Sequence, residues 1–265
     1  MSGMAKRIVL TAWNENWLDS PEIILKMKPA LGRLQAAGAA VILFSACDRA
    51  QLEPVRKMLE LTAPFIVESG SAVFTPVEHS PFEEPLGDRD GDYFVRQLGC
   101  PYVQARAGLR VIANVIAHPL KGFGDFTIPQ LQRLSDLSEE AAHRAKDREF
   151  SELFMTPKAV APQILQRAAE EMGFNVIWRT AEESRFSELI GSGASLTVAV
   201  EAVLSAYSAS GEALEVVGLS HLQSALDDLR AVADDAKGET NFEEALLTSV
   251  SIDSWLTAVE TTNFF

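Results

Sequence analysis

Three shortages limit what this chain of 265 residues can do. It has no uninterrupted apolar run long enough to cross a bilayer. MSGMAKR leads into a strand without the apolar stretch of a secretion signal, so a cytoplasmic, soluble protein is expected. Basic residues are scarce: 23 against 37 acids leave a net charge of −14, which argues against nucleic acid and anionic membrane as partners. There are 2 cysteines, Cys47 and Cys100, too far apart for any metal-ligand spacing, and buried thiols in a reducing compartment are expected. Lysine is absent from Ala159 to Ala236.

What is present is an alternation of strand and helix signals. RIVLTA reads as a buried strand by its unbroken, β-branched apolarity. PEIILKMKPALGRLQAAG has helical spacing at Ile24, Met27, Leu31 and Leu34, closes on Gly38, and carries Pro29 as a kink or early turn. AAVILFSA is a second buried strand, and DRAQLEPVRKMLEL a helix with Asp48 as candidate N-cap. PFIVESGSAVFTP reads as strand, turn at Ser69-Gly70, strand. This order predicts a parallel sheet covered by helices.

The Pro-, Gly- and acid-rich EHSPFEEPLGDRDGD predicts a loop or linker. Beyond it YFVRQLG, YVQARAGLRVIANVIAHP, TIPQLQRLSD and LSEEAAHRAKDREFSELF read as largely helical, followed by a helix in APQILQRAAEEMG. FNVIWRTA and RFSELIG read as short strands. The core pattern then resumes with helix SLTVAVEAVLSAYSASG, strand LEVVGLS and helix LQSALDDLRAVADD. The expected organisation is a βα core, 1–77 and 191–265, interrupted by an inserted domain, 78–190.

FSACDRAQLEPVRKMLELTAPFIVESGSAVFTP, KGFGDFTIPQLQRLSDLSEEAAHRAKDREFSELF, SRFSELIG and SWLTAV carry a resemblance running nearly end to end. The chain resembles the haloacid dehalogenase superfamily of phosphatases, and within it the mannosyl-3-phosphoglycerate phosphatases. The resemblance implies an α/β fold: a Rossmann-like parallel-sheet core with helices on both faces and an α+β cap of the C2B type. It also implies a chemistry. An aspartate ending the first strand attacks phosphorus, and a second, two residues on, serves as acid and base. A Ser or Thr and a Lys hold the phosphoryl oxygens, and acids bind Mg²⁺.

Matched residue by residue, that machinery is missing. DxDGT is here AWNEN, which puts Ala12 at the nucleophile and Asn14 at the acid/base position. Ser45 keeps its place, whereas the lysine falls on Leu196 or a neighbour. In SHLQSALDDL, His221 and Ala225 stand where metal acids belong, and the adjacent Asp227 and Asp228 point to different helix faces. Each essential group is worth on the order of 10³ in rate, so no catalytic residue is assigned and no cofactor is expected. Mg²⁺ belongs only to the alternative, an active sugar-phosphate phosphatase with an altered site.

The cap implied by the resemblance keeps Lys121, Asp125, Arg148, Glu149, Ser151, Glu152 and Arg185. Of these Lys121, Asp125, Arg148, Ser151 and Arg185, with Ser45, are the candidate substrate-binding residues, Arg148 and Arg185 being able to fork a phosphate or carboxylate. The bland reading, that DREFSE is a turn kept for packing, stands beside it. Trp13 and Trp17 are read as filling vacated space rather than as a stacking platform, Glu15 as a solvated charge rather than a base, and His221 as structural rather than a ligand. The expected function is a catalytically degenerate phosphatase homologue that binds a phosphorylated or carboxylated sugar, or a protein partner.

Overall fold

The computed structural model describes residues 5–14, 17–18, 20–135, 137–179, 184–209, 211–235, 240–246 and 251–261. Two sheets organise them. The large one contains β1 (Lys6–Ala12), β2 (Ala39–Phe44), β3 (Phe65–Val67), β4 (Ala72–Pro76), β5 (Asp88–Asp90), β6 (Tyr93–Gln97), β10 (Leu214–Ser220) and β11 (Thr240–Leu246). Their order is β11-β10-β1-β2-β3-β4-β6-β5. The small sheet contains β7 (Ser151–Met155), β8 (Phe174–Ile177) and β9 (Phe186–Gly191) in the order β7-β9-β8.

The central strands are parallel and apolar on both sides because helices cover both faces. On one face α1 (Pro21–Ala36), α2 (Arg49–Met58) and α9 (Ile252–Glu260) pack over Val9, Val41, Leu43 and Phe65. On the other, α7 (Leu196–Ser208) and α8 (Gln223–Asp235) pack over Ile8, Leu10, Ile42 and Val216. Pro29 lies within α1 on its exposed side, and the helix runs through it. Asp48 caps α2 as expected: its carboxylate accepts from the Gln51 backbone N–H at 2.9 Å and Gln51 returns the bond in a capping box. The indole N–H of Trp255, on α9, donates to Thr11 Oγ1 at 2.8 Å, tying the far end of the chain to β1.

The inserted region is less helical than expected. YFVRQLG forms β6, and the acid-rich loop before it contains β5. β6 pairs antiparallel with β4 and β5 pairs antiparallel with β6, so 88–97 extends the large sheet although this stretch was expected in the cap. FSELF, expected to be helical, is β7, with α5 (Glu139–Arg144) ending before it. The Pro/Gly content of 80–92 masked a short hairpin, and Phe94, Val95, Leu153 and Phe154 satisfy either period in so short a run. Helices α3 (Tyr102–Val115) and α6 (Pro162–Glu171) cover the small sheet through Leu109, Ile112, Leu165 and Ala169. The helix expected in TIPQLQRLSD is α4 (Ile128–Ser135).

Candidate functional site

The C-terminal ends of β1, β2 and β10 lie side by side, the place where open α/β sheets bind ligands. Ala12 ends β1, and Leu196 opens α7 behind Ser195, whose hydroxyl caps the helix by accepting from Val198 N–H. Ala225 lies on α8. Ala12, Leu196 and Ala225 are 6%, 9% and 8% exposed and belong to one hydrophobic cluster with Phe44, Val200 and Leu226. A lysine, a carboxylate or a hydrated ion placed there would meet apolar side chains.

The polar positions at this edge bond to one another. Asn14 Nδ2 and His221 Nε2 are 3.0 Å apart. Ser45 Oγ donates to the Trp13 carbonyl at 2.9 Å and accepts from Cys47 N–H at 3.1 Å, so it fixes the turn after β2. Trp13 and Trp17 are buried edge to face, ring centroids 5.4 Å apart, which accords with a space-filling role. Glu15 and Asn16 lie outside the described residues. Asp227 is exposed and pairs with Arg230, while the half-buried Asp228 accepts from Thr197 Oγ1 at 3.4 Å and burial raises its pKa. Mg²⁺ demands several oxygen ligands. Ala12, Asn14, His221 and Ala225 do not supply them, and among the described residues no group of three or more His, Cys, Asp or Glu is placed to hold a metal.

The cap residues divide into two sets. Arg148, 5% exposed, donates Nε to Ser151 Oγ at 3.0 Å and Nη1 to the Ala46 carbonyl at 3.1 Å, and its Nη2 pairs with Glu188. Glu68, on the turn between β3 and β4, accepts from the backbone N–H groups of Glu149 and Phe150 at 2.8 and 3.1 Å and from Ser151 Oγ at 2.6 Å. Ser69 Oγ donates to Glu188 at 2.5 Å. Arg49 bonds to Glu149 through Nε at 2.8 Å. Burial raises the pKa of Glu68, with Arg148 opposing it, and burial raises that of Asp48 to about 7.

In the second set Lys121 stands over the Phe126 ring at 4.1 Å. Asp125 accepts from Gly122 N–H and, at 2.7 Å, from Arg106. The buried Glu152 accepts from Gly124 N–H at 3.1 Å and its pKa is raised by burial. Arg185 is exposed, so the two arginines expected to fork one anion stand in different surroundings. The sequence reading passed over Asp48 as more than a cap, and over Glu68 and Glu188. A charge inside the fully buried FSELIG was the available signal.

These features define a haloacid dehalogenase-type fold with an inserted cap. No family model matches the chain. Among solved structures it is similar to a phosphatase of the haloalkanoate (HAD) enzyme superfamily from Bacteroides thetaiotaomicron, with a TM-score of 0.60, 10% identity, and 99% and 96% of the two chains covered. It is also similar to the sucrose-phosphatase of Synechocystis sp. PCC6803 solved with sucrose and phosphate, with a TM-score of 0.52, 12% identity, and 97% and 98% covered. In sequence it is 31% identical over 205 residues to the glucosyl-3-phosphoglycerate/mannosyl-3-phosphoglycerate phosphatase of Persephonella marina, spanning 77% of this chain and 74% of that one. It is 34% identical over 124 residues to the mannosyl-3-phosphoglycerate phosphatase of Pyrococcus furiosus, spanning 47% and 50%. The chain belongs to the family of glucosyl- and mannosyl-3-phosphoglycerate phosphatases.

Proposed function

We propose that this chain is a member of its phosphatase family that no longer turns over substrate and instead binds a sugar-phosphate-like ligand or a protein partner. One observation carries the reading: Ala12, Leu196 and Ala225 share an apolar cluster where a nucleophile, a cation and a metal acid would be needed together. The relatives are named as phosphatases of glucosyl- or mannosyl-3-phosphoglycerate, which makes such an ester, or its carboxylate part, the first ligand to try. Lys121, Asp125 and Arg185 are the cap residues that remain accessible to one, since Arg148 and Ser151 are bonded to buried carboxylates.

Phosphate release from mannosyl- and glucosyl-3-phosphoglycerate, with and without Mg²⁺, tests the reading. No release above background is expected, together with a rise in melting temperature on adding the ester. Mg²⁺-dependent release abolished by a chelator would establish the second reading, an active phosphatase with an altered site, which family membership favours.

A further inference from the structure

The contact between the two sheets contains more buried acid than buried base. From the large sheet's side come Asp48, at the start of α2, and Glu68 on the turn after β3; from the small sheet's side come Arg148, just before β7, and Glu188 on β9. Asp48, Glu68 and Glu188 are each 0% exposed and Arg148 is the cation facing them. Asp147 adds a weaker negative charge near Asp48, and Cys47 lies close to Arg148. Arg49, the next residue, is engaged with Glu149. Arg148 Nε is 3.5 Å from Glu68, and Glu68 holds the backbone of residues 149–150. Asp48 is bound less well: Oδ1 caps Gln51, while Oδ2 is buried without a hydrogen-bond partner.

The turn that presents Glu68 is itself under tension. Glu68 and Ser69 have φ of 48° and 54°, a left-handed conformation that side chains other than glycine disfavour. Such a conformation persists where surrounding bonds hold it, and here those bonds reach across to the small sheet.

We propose that Asp48 is the proton-operated release of a latch between the two sheets, closed when its carboxyl carries a proton and Glu68 and Glu188 share Arg148, and opened when that proton leaves. Ionised, Asp48 is a third buried carboxylate around one guanidinium, and the loss of water around it, with the repulsion of Glu68 and Asp147, outweighs its attraction to Arg148. Separation of the sheets returns Asp48 to water and ends that cost. The raised pKa of Asp48 sets the working range. An open state with an ordinary carboxylate is favoured by up to about tenfold per pH unit between about 5 and about 7, levelling off above that.

Amide hydrogen exchange at Glu149 and Phe150, corrected for the intrinsic pH dependence and measured on the full chain from pH 5 to 9, reads the opening directly, with circular dichroism checking that the chain stays folded. Protection at these amides should fall across pH 5 to 7 in the native chain and stay level in Asp48→Asn, which keeps the capping oxygen. Asp48→Ser, with a hydroxyl cap, should behave like Asp48→Asn and serves if the amide variant does not fold. A native profile that is level, or one that parallels both variants, overturns the latch. No ligand is present in this measurement, so its outcome is separate from that of the ligand-binding reading.

Discussion

Asn14 and His221 lie 3.0 Å apart, side chain to side chain, at the mouth of the large sheet. The sequence reading expected a proton-transferring acid and a metal ligand at these two positions, and the side chains present bond to each other. The same edge carries an apolar cluster at Ala12, Leu196 and Ala225. Together they make the first prediction.

Ala12→Asp places a carboxylate where the sequence reading expected a nucleophile and buries it among apolar side chains. Unfolding in urea should show a loss of about 3 kcal/mol or more at neutral pH, and added Mg²⁺ should not recover it. A neutral substitution that binds Mg²⁺ would show a working site.

Arg148→Met leaves Glu68 and Glu188 without their cation and should cost about 3–5 kcal/mol in denaturant unfolding. Adding Glu188→Gln to that background should cost less than in the native chain, because the double-mutant cycle removes a charge already stranded.

The sign of the pH dependence follows from Asp48. Its folded-state pKa is raised from 3.8 to about 7, so its contribution is fully present below about 4 and is lost as pH rises towards 7. Relative to Asp48→Asn, the native chain should lose up to about 1.4 kcal/mol per pH unit over that range in urea titrations at stepped pH.

Trp255→Phe keeps the bulk on α9 but removes the donor to the fully buried Thr11 hydroxyl. The expected loss is about 1–2 kcal/mol. Trp255→Ala should cost about 3–5 kcal/mol, since it also opens a cavity, and thermal melts would rank the two.

Gly70 has a φ of 92°, and a Cβ there would lie 2.2 Å from the Ser195 carbonyl oxygen. Because the obstacle is backbone at the start of α7, Gly70→Ala should destabilise by about 3 kcal/mol or more, read by chemical unfolding.

Much of the architecture was legible in the sequence. Unbroken apolarity in RIVLTA, AAVILF and LEVVGLS marked strands buried on both faces, and Asp48 marked a helix start as candidate N-cap. The β5–β6 hairpin and β7 were not legible, because the pairing of 93–97 onto β4, which carries 88–90 with it, is a long-range choice that local propensity does not encode.

The sequence by itself determined what the side chains after the first strand can do, since a methyl at Ala12 and an amide at Asn14 have fixed chemistry wherever the chain places them. Tertiary structure alone decided what surrounds these positions and which groups Arg148 and Ser151 bond to. It gathered Ala12, Leu196 and Ala225 into one apolar cluster, and it turned Arg148 and Ser151 inward onto Glu68 and Glu188. The physical reason is that a buried charge takes its meaning from the counter-charges packed against it. Those here come from residues 80 and 40 positions away, Glu68 to Arg148 and Arg148 to Glu188, joined only when the two sheets meet.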